Sequence, residues 1–334
     1  MVSTTSLLPR LVLLLAAAAG CQEAAAFPLF YRHVAPRAGN PGVVGNIRIP
    51  AGFTKTLFSD DFSGTAGSLP AAARWTIDTG TAYPGGGSPQ WGTGEVESYT
   101  RNAANLQITA AGTLLLTPVA TTAGGRTTWT SARIESVKAY DFTCAVGKKL
   151  RIESRLKLGA NAAASQLGIW NAFWTLGAAY RGNYQNWPAV GEVDVLESIN
   201  GQSIAYETVH CGTASGGPCH ESTGISKTTP FARGGWYTAA VIIDRTAARS
   251  TADWQKEKIT WLLNEQLVFT LAATTVNNQA AWAALAQNAK FILFNVAVGG
   301  AFPTAVAGVT TPTARTVGGT GSGMEVDYVA VFTS

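Results

Sequence analysis

The sequence predicts an all-β protein, an antiparallel sandwich or barrel, on three observations. Short apolar or alternating runs recur along most of the chain with turn residues between them. Glycine is abundant, 36 of 334 residues, as closely spaced turns require. Convincing helical periodicity is confined to one short segment.

Taken in chain order, residues 1–26 stand apart. Arg10 precedes LVLLLAAAAG, which is too short to span a bilayer, and AAA follows at 24–26. This is the pattern of a secretory signal cut near Ala26. Lipid attachment at Cys21 is the alternative, for which Ala18 is a poor residue. Residues 27–52 mix prolines, glycines and basic residues without periodicity and are expected to be a propeptide or an extended arm.

From Phe53 the β-pattern begins. TKTLFSDDF, NLQITA, TLLLTPV, KLRIESRLKL, YTAAVIID, KITWLLN, QLVFTL, KFILFNVAV and MEVDYVAVF read as strands. LLNEQLVF reads as a hairpin turning at 264–266. The helical segment is NNQAAWAALAQ, with Trp282 and Leu285 on one side. Glycine-rich PGGGSPQWGTGE (84–95) is expected to be a surface loop. It does not join a strand to a helix, which excludes a nucleotide-binding reading. No second core and no repeat is apparent, so 53–334 is expected to be one domain.

The formal charge of +4 is thinly spread and no Lys/Arg run exists, which argues against a nucleic-acid partner. No later segment is apolar enough for a membrane helix. The mature protein is therefore expected to be secreted, extracellular or in a cell wall, and a monomer with no membrane partner once the signal is removed. In an oxidising compartment cysteines tend to pair. Cys211 and Cys219 bracket GTASGGP, a loop that a small disulfide ring would close, and Cys144 is left as a buried free thiol. No CxxC spacing suggests a metal, and no N-x-S/T sequon is present.

The most informative stretch is GEVDVLESIN (191–200). Its apolar residues suit a strand, in which Glu192 and Asp194 share a face while Glu197 falls on the other. A β-bulge between Asp194 and Glu197 would turn Glu197 to the face of Glu192. Side chains leaning inward would then bring the two glutamate carboxyls to about 5–6 Å, near the separation retaining glycosidases use. One must be ionised to attack an anomeric carbon, and the other must hold a proton for the departing oxygen. Asp194 between them would share a proton and moderate their repulsion. A solvated acidic face or a calcium site is the bland alternative. Trp170, Trp174 and Trp187 precede the acids closely, and indole rings suit the apolar faces of sugars.

The pattern E-V-D-V-L-E, preceded by W-x-A-F-W and W-P-A-x-G, resembles glycoside hydrolase family 16 in its laminarinase-like branch. FSDDF, GEVESYT, TSARIES, FNVAVGG and MEVDYVAVF match in order, so the resemblance spans about residues 53–334. It implies a concanavalin A-like β-jelly roll with an open cleft on its concave sheet. It implies Glu192 as nucleophile, Asp194 as assisting acid and Glu197 as general acid/base. Arg133 and Glu95 would contact the bound β-glucan, and His210 would line the cleft near the acid/base. Asp327 matches an aspartate that in some members holds a structural calcium; catalysis would need no cofactor. The implied activity is endo-hydrolysis of β-1,3- or mixed β-1,3/1,4-glucan with retention.

This chain departs from the family pattern at Gly94, Asn171 and Ile243 and in a longer 211–219 loop, all of which bear on subsites. Two other readings keep the fold. One is a cell-wall transglycosylase, which passes the same intermediate to a sugar. The other is a non-catalytic glucan-binding protein, whose family relatives typically lose the acids that remain here.

Overall fold

A computed structural model describes residues 47–334. The predicted signal (1–26) lies outside them, as does the predicted arm (27–52) apart from 47–52. Among the described residues the first strands are β1 (Lys55–Asp60), β2 (Trp75–Ile77), β3 (Glu97–Tyr99), β4 (Leu106–Ile108), β5 (Leu114–Leu116) and β6 (Val119–Ala123). There follow β7 (Arg126–Ser131), β8 (Arg133–Ser136), β9 (Lys149–Leu158), β10 (Ile169–Gly177), β11 (Glu192–Ile199) and β12 (Ile204–His210). The last are β13 (Ile225–Pro230), β14 (Trp236–Asp244), β15 (Lys258–Leu263), β16 (Gln266–Ala272), β17 (Lys290–Val298) and β18 (Met324–Thr333).

Two sheets form the layers of the predicted sandwich. One runs β13-β12-β11-β10-β17-β8-β2, and the other β16-β15-β14-β9-β18-β5-β4 with β1 also paired to β18. Both are antiparallel throughout; a small third sheet, β3-β7-β6, contains a parallel pair between β3 and β7. Alternation along β10 explains the layering. Ile169, Phe173 and Thr175 are buried toward the other sheet, with Phe173 stacked on Phe294 at 4.7 Å, whereas Trp170, Ala172, Trp174 and Leu176 face a cleft. Trp75, Trp261 and Trp282 are each no more than 2% exposed and share the main hydrophobic cluster with Phe58, whereas Phe291 belongs to a second cluster with Leu176, Val190 and Leu293.

The hairpin turns at Asn264 and Glu265, both left-handed (φ 49° and 64°), the conformation of a two-residue type I′ connection. The predicted helix is present as α-helical 279–282 continuing into a π-helical turn at 283–287, with Trp282 and Leu285 fully buried. It is not the only one. Ala301–Ala307 is also helical, capped by left-handed Gly308. Its apolar periodicity is masked by Pro303, which sits in the first turn, where a missing N–H costs no helical hydrogen bond. The disulfide between Cys211 and Cys219 is formed and Cys144 is a buried free thiol.

Candidate active site

The site begins with an irregularity in β11. Against β10, Phe173 pairs with Leu196 and the next residue, Trp174, pairs with Asp194, so Val195 is supernumerary. Against β12, Asp194 pairs with Thr208 and Glu197 with Tyr206, so Val195 and Leu196 together stand against the single residue Glu207. This is the predicted bulge. It buries Val193, Val195 and Leu196 in the core and turns Glu192, Asp194 and Glu197 into one cleft. Trp261, from the opposite sheet, donates its Nε1–H to the Asp194 carbonyl at 2.8 Å and so satisfies a backbone group at the bulge from across the core.

The cleft is also lined by Trp170, Trp174, Trp187, Arg133 and Glu95, so these predicted cleft residues converge, whereas His210 lies behind the acids and not in the cleft lining. The tryptophans do more than offer flat faces. Trp170 donates to Glu197 Oε1 at 2.7 Å and Trp187 to Glu192 Oε2 at 3.2 Å, while Trp174 donates to Asn295 Oδ1 at 2.8 Å. Arg133 donates from Nε to Asp78 (3.1 Å) and from Nη2 to the Tyr83 hydroxyl (2.8 Å), and lies against the rings of Trp91 and Trp174. Glu95 accepts from the Thr93 and Tyr99 hydroxyls at 2.7 and 2.8 Å.

His210 stands directly opposite Glu192 across the β11–β12 ladder. Its Nδ1 is 2.8 Å from Glu221 Oε2 and its Nε2 is 3.7 Å from Asp194 Oδ2. Glu221 also accepts the Cys211 N–H at 2.8 Å and is buried. Asp327 is remote from this group, on β18 of the other sheet, where Arg155 Nη1 is 2.7 Å from its carboxylate. One carboxylate oxygen is thus taken by a guanidinium, and among the described residues Asp327 belongs to no cluster of three acidic or histidine donors, so the side chains there do not fit a cation.

Burial sets the protonation of the acids. It raises Glu197 to about 7 against the lowering effects of His210 and the Trp170 hydrogen bond. Burial also raises Asp194 well above the ordinary range, helped by Glu197, Glu192 and Glu221. Glu192 is raised by burial too, but His210, the Trp187 hydrogen bond and Arg133 pull it back. The imidazole of His210 is driven down by burial and more strongly up by Glu221, Glu192 and Glu197. Lys290, buried beneath the cleft, donates to the carbonyls of Ala284 and Gly191, the latter at 3.4 Å, and burial lowers it to about 7. Such a cluster keeps a proton on some carboxyls and charge on others, the condition for paired acid and nucleophile chemistry.

Sequence reasoning missed Tyr83, Trp91, Tyr180 and Tyr184, which also line the cleft, and Glu221 behind it. Trp91 lies in the glycine-rich loop read only as surface. A tryptophan there was the available signal.

A model of the XgeA-like, catalytic GH16 domain matches residues 93–234. The solved endo-1,3-β-glucanase of Streptomyces sioyaensis is 40% identical, with a TM-score of 0.77 over 86% of this chain and 98% of that one. A β-glucanase of Rhodothermus marinus is 26% identical over 74% of this chain and 76% of its own length. The clotting factor G alpha subunit of Tachypleus tridentatus is also 26% identical, and there the match spans only 30% of that protein.

Proposed function

The chain belongs to glycoside hydrolase family 16, and from that premise we propose that residues 53–334 are one catalytic domain. It hydrolyses β-1,3- or mixed β-1,3/1,4-glucan within the chain, with retention of configuration. One observation carries the reading: the bulge that brings Glu192 and Glu197 to a single cleft, each held by an indole N–H.

In the first step a Glu192 carboxylate oxygen forms a bond to the anomeric carbon as the bond to the departing sugar oxygen breaks. Glu197 gives that oxygen its proton. In the second step Glu197, now ionised, takes a proton from water, whose oxygen attacks the anomeric carbon and releases Glu192. Burial and three neighbouring carboxyls favour the protonated form of Asp194, whereas His210, the Trp187 N–H and Arg133 favour the ionised form of Glu192, which therefore carries the negative charge. Arg133 is fixed by Asp78 and Tyr83 and presents its guanidinium to sugar hydroxyls. No cofactor enters these steps. Residues 1–26 act as a secretory signal, which N-terminal sequencing of the exported protein checks by a start near residue 27.

Reducing-sugar release from laminarin, lichenan, galactan and agarose tests the substrate. Activity is expected on laminarin or lichenan, to vanish in Glu192→Gln and to fall about 10²–10⁴-fold in Glu197→Gln. NMR of the first product should show the β-anomer. An initial α-anomer, or full activity in Glu192→Gln, refutes the mechanism.

A further inference from the structure

We propose that Glu192, Asp194 and His210 form a binding site for a divalent transition-metal cation, zinc foremost, whose occupation shuts the cleft's chemistry down. The inhibition rests on the function proposed above; the binding does not. One carboxylate oxygen from each acid and one ring nitrogen of His210 lie within 4.8 Å of one another. Glu192 and His210 are cross-strand partners on the same face, and Asp194 is two residues along from Glu192. The sheet register itself therefore makes the donors converge.

Two further features point to a ligand. Asp194 Oδ2 is buried with no hydrogen-bond partner, and it faces His210 Nε2 at 3.7 Å. A buried carboxylate oxygen in that state is costly unless a proton or a cation meets it. The other side of the imidazole is prepared as well. Nδ1 lies 2.8 Å from Glu221 Oε2, and Glu221 is itself fixed by the Cys211 N–H. A carboxylate accepting the far N–H of a histidine is the support that metal-binding histidines usually have, because it fixes the tautomer and turns the free nitrogen's lone pair to the metal.

The donor set decides the cation. One imidazole nitrogen and two carboxylate oxygens suit zinc, with a fourth position left for water; magnesium and calcium prefer all-oxygen shells of six or more. Tetrahedral zinc with bonds of about 2.1 Å needs donors about 3.4 Å apart, so the side chains close inward by about 1 Å. Once bound, the ion occupies the Glu192 carboxylate that would otherwise attack the sugar.

Titration calorimetry of tag-free protein with zinc chloride is expected to show one site per chain. His210→Gln and Asp194→Asn should each abolish it, and Glu221→Gln should weaken it about 10–100-fold. Magnesium chloride should give no comparable heat. Thermal melts identify any variant that fails to fold, and the wild-type titration stands without the variants. No zinc uptake by wild type, or uptake unchanged in both His210→Gln and Asp194→Asn, overturns the site. Laminarin hydrolysis is measured in parallel. Protein that cuts laminarin without taking up zinc ends this inference and leaves the function standing. Protein that takes up zinc but cuts no β-glucan even in the absence of zinc does the reverse, and zinc-saturated protein that cuts as fast as metal-free protein overturns the inhibition.

Discussion

Glu197 is held near pH 7 by opposing effects, and each can be moved separately. Burial pushes its carboxyl up; His210 and the Trp170 indole N–H pull it down. Trp170→Phe removes a donor that favours the ionised form, so the acid should rise further. The alkaline limb of the pH–rate profile should move to higher pH, with kcat reduced; a shift to lower pH would contradict the role given to Trp170. The same raised value sets a stability trend. Between the unfolded value of 4.5 and about 7 the native state binds more protons than the unfolded state, so this residue's contribution falls as pH rises through that window. Glu197→Gln cannot ionise, and it should therefore gain stability relative to wild type from pH 4.5 to 7, read from urea midpoints across pH.

At the scale of the strand, the bulge is what the site depends on. Deleting Val195 leaves Glu192, Asp194 and the following glutamate in regular alternation, all on the cleft face, so weak β-glucan hydrolysis should survive. Inserting an alanine after Leu196 reverses the parity, turns the glutamate toward the core and should abolish activity while destabilising the fold. Equal loss in both variants would show that the bulge does more than set parity. Trp261→Phe leaves the Asp194 carbonyl without its buried donor and should cost about 1–3 kcal/mol. The bulge was legible in the sequence because a strand has period two and one acid had the wrong parity. The same logic could not reach Trp91, Tyr83 or Glu221. They sit in segments without regular period, 83–95 and 211–221, whose side chains are aimed by positive-φ residues and a disulfide rather than by a pleat. Likewise the indole donation to each glutamate is a matter of ring orientation, which spacing does not fix.

Across the whole molecule, stability and site geometry come from different parts. One hydrophobic cluster joins both sheets: Phe58, Ile152 and Val331 of one layer belong to the same buried group as Phe173, Leu196 and Phe294 of the other. That continuity favours a single cooperative unfolding transition. The disulfide between Cys211 and Cys219 closes a short loop at the end of β12, with a sequence separation of 8. Constraining so small a loop in the unfolded chain contributes about 2.5 kcal/mol, a modest share of what two packed sheets supply. Replacing both cysteines by serine should therefore lower the melting temperature by roughly 5 °C and leave one transition. Activity should suffer more than that loss implies. Serine keeps the backbone N–H of residue 211 that holds Glu221, but only the closed ring fixes the 211–221 loop that brings Glu221 to it, and Glu221 holds His210 beside Asp194. The double serine variant should keep its fold, measured by far-UV circular dichroism, yet show an altered pH–rate profile and a lower kcat with KM little changed. A variant whose profile matches wild type would mean that the strands alone aim His210, and that the loop beyond them is only a tether.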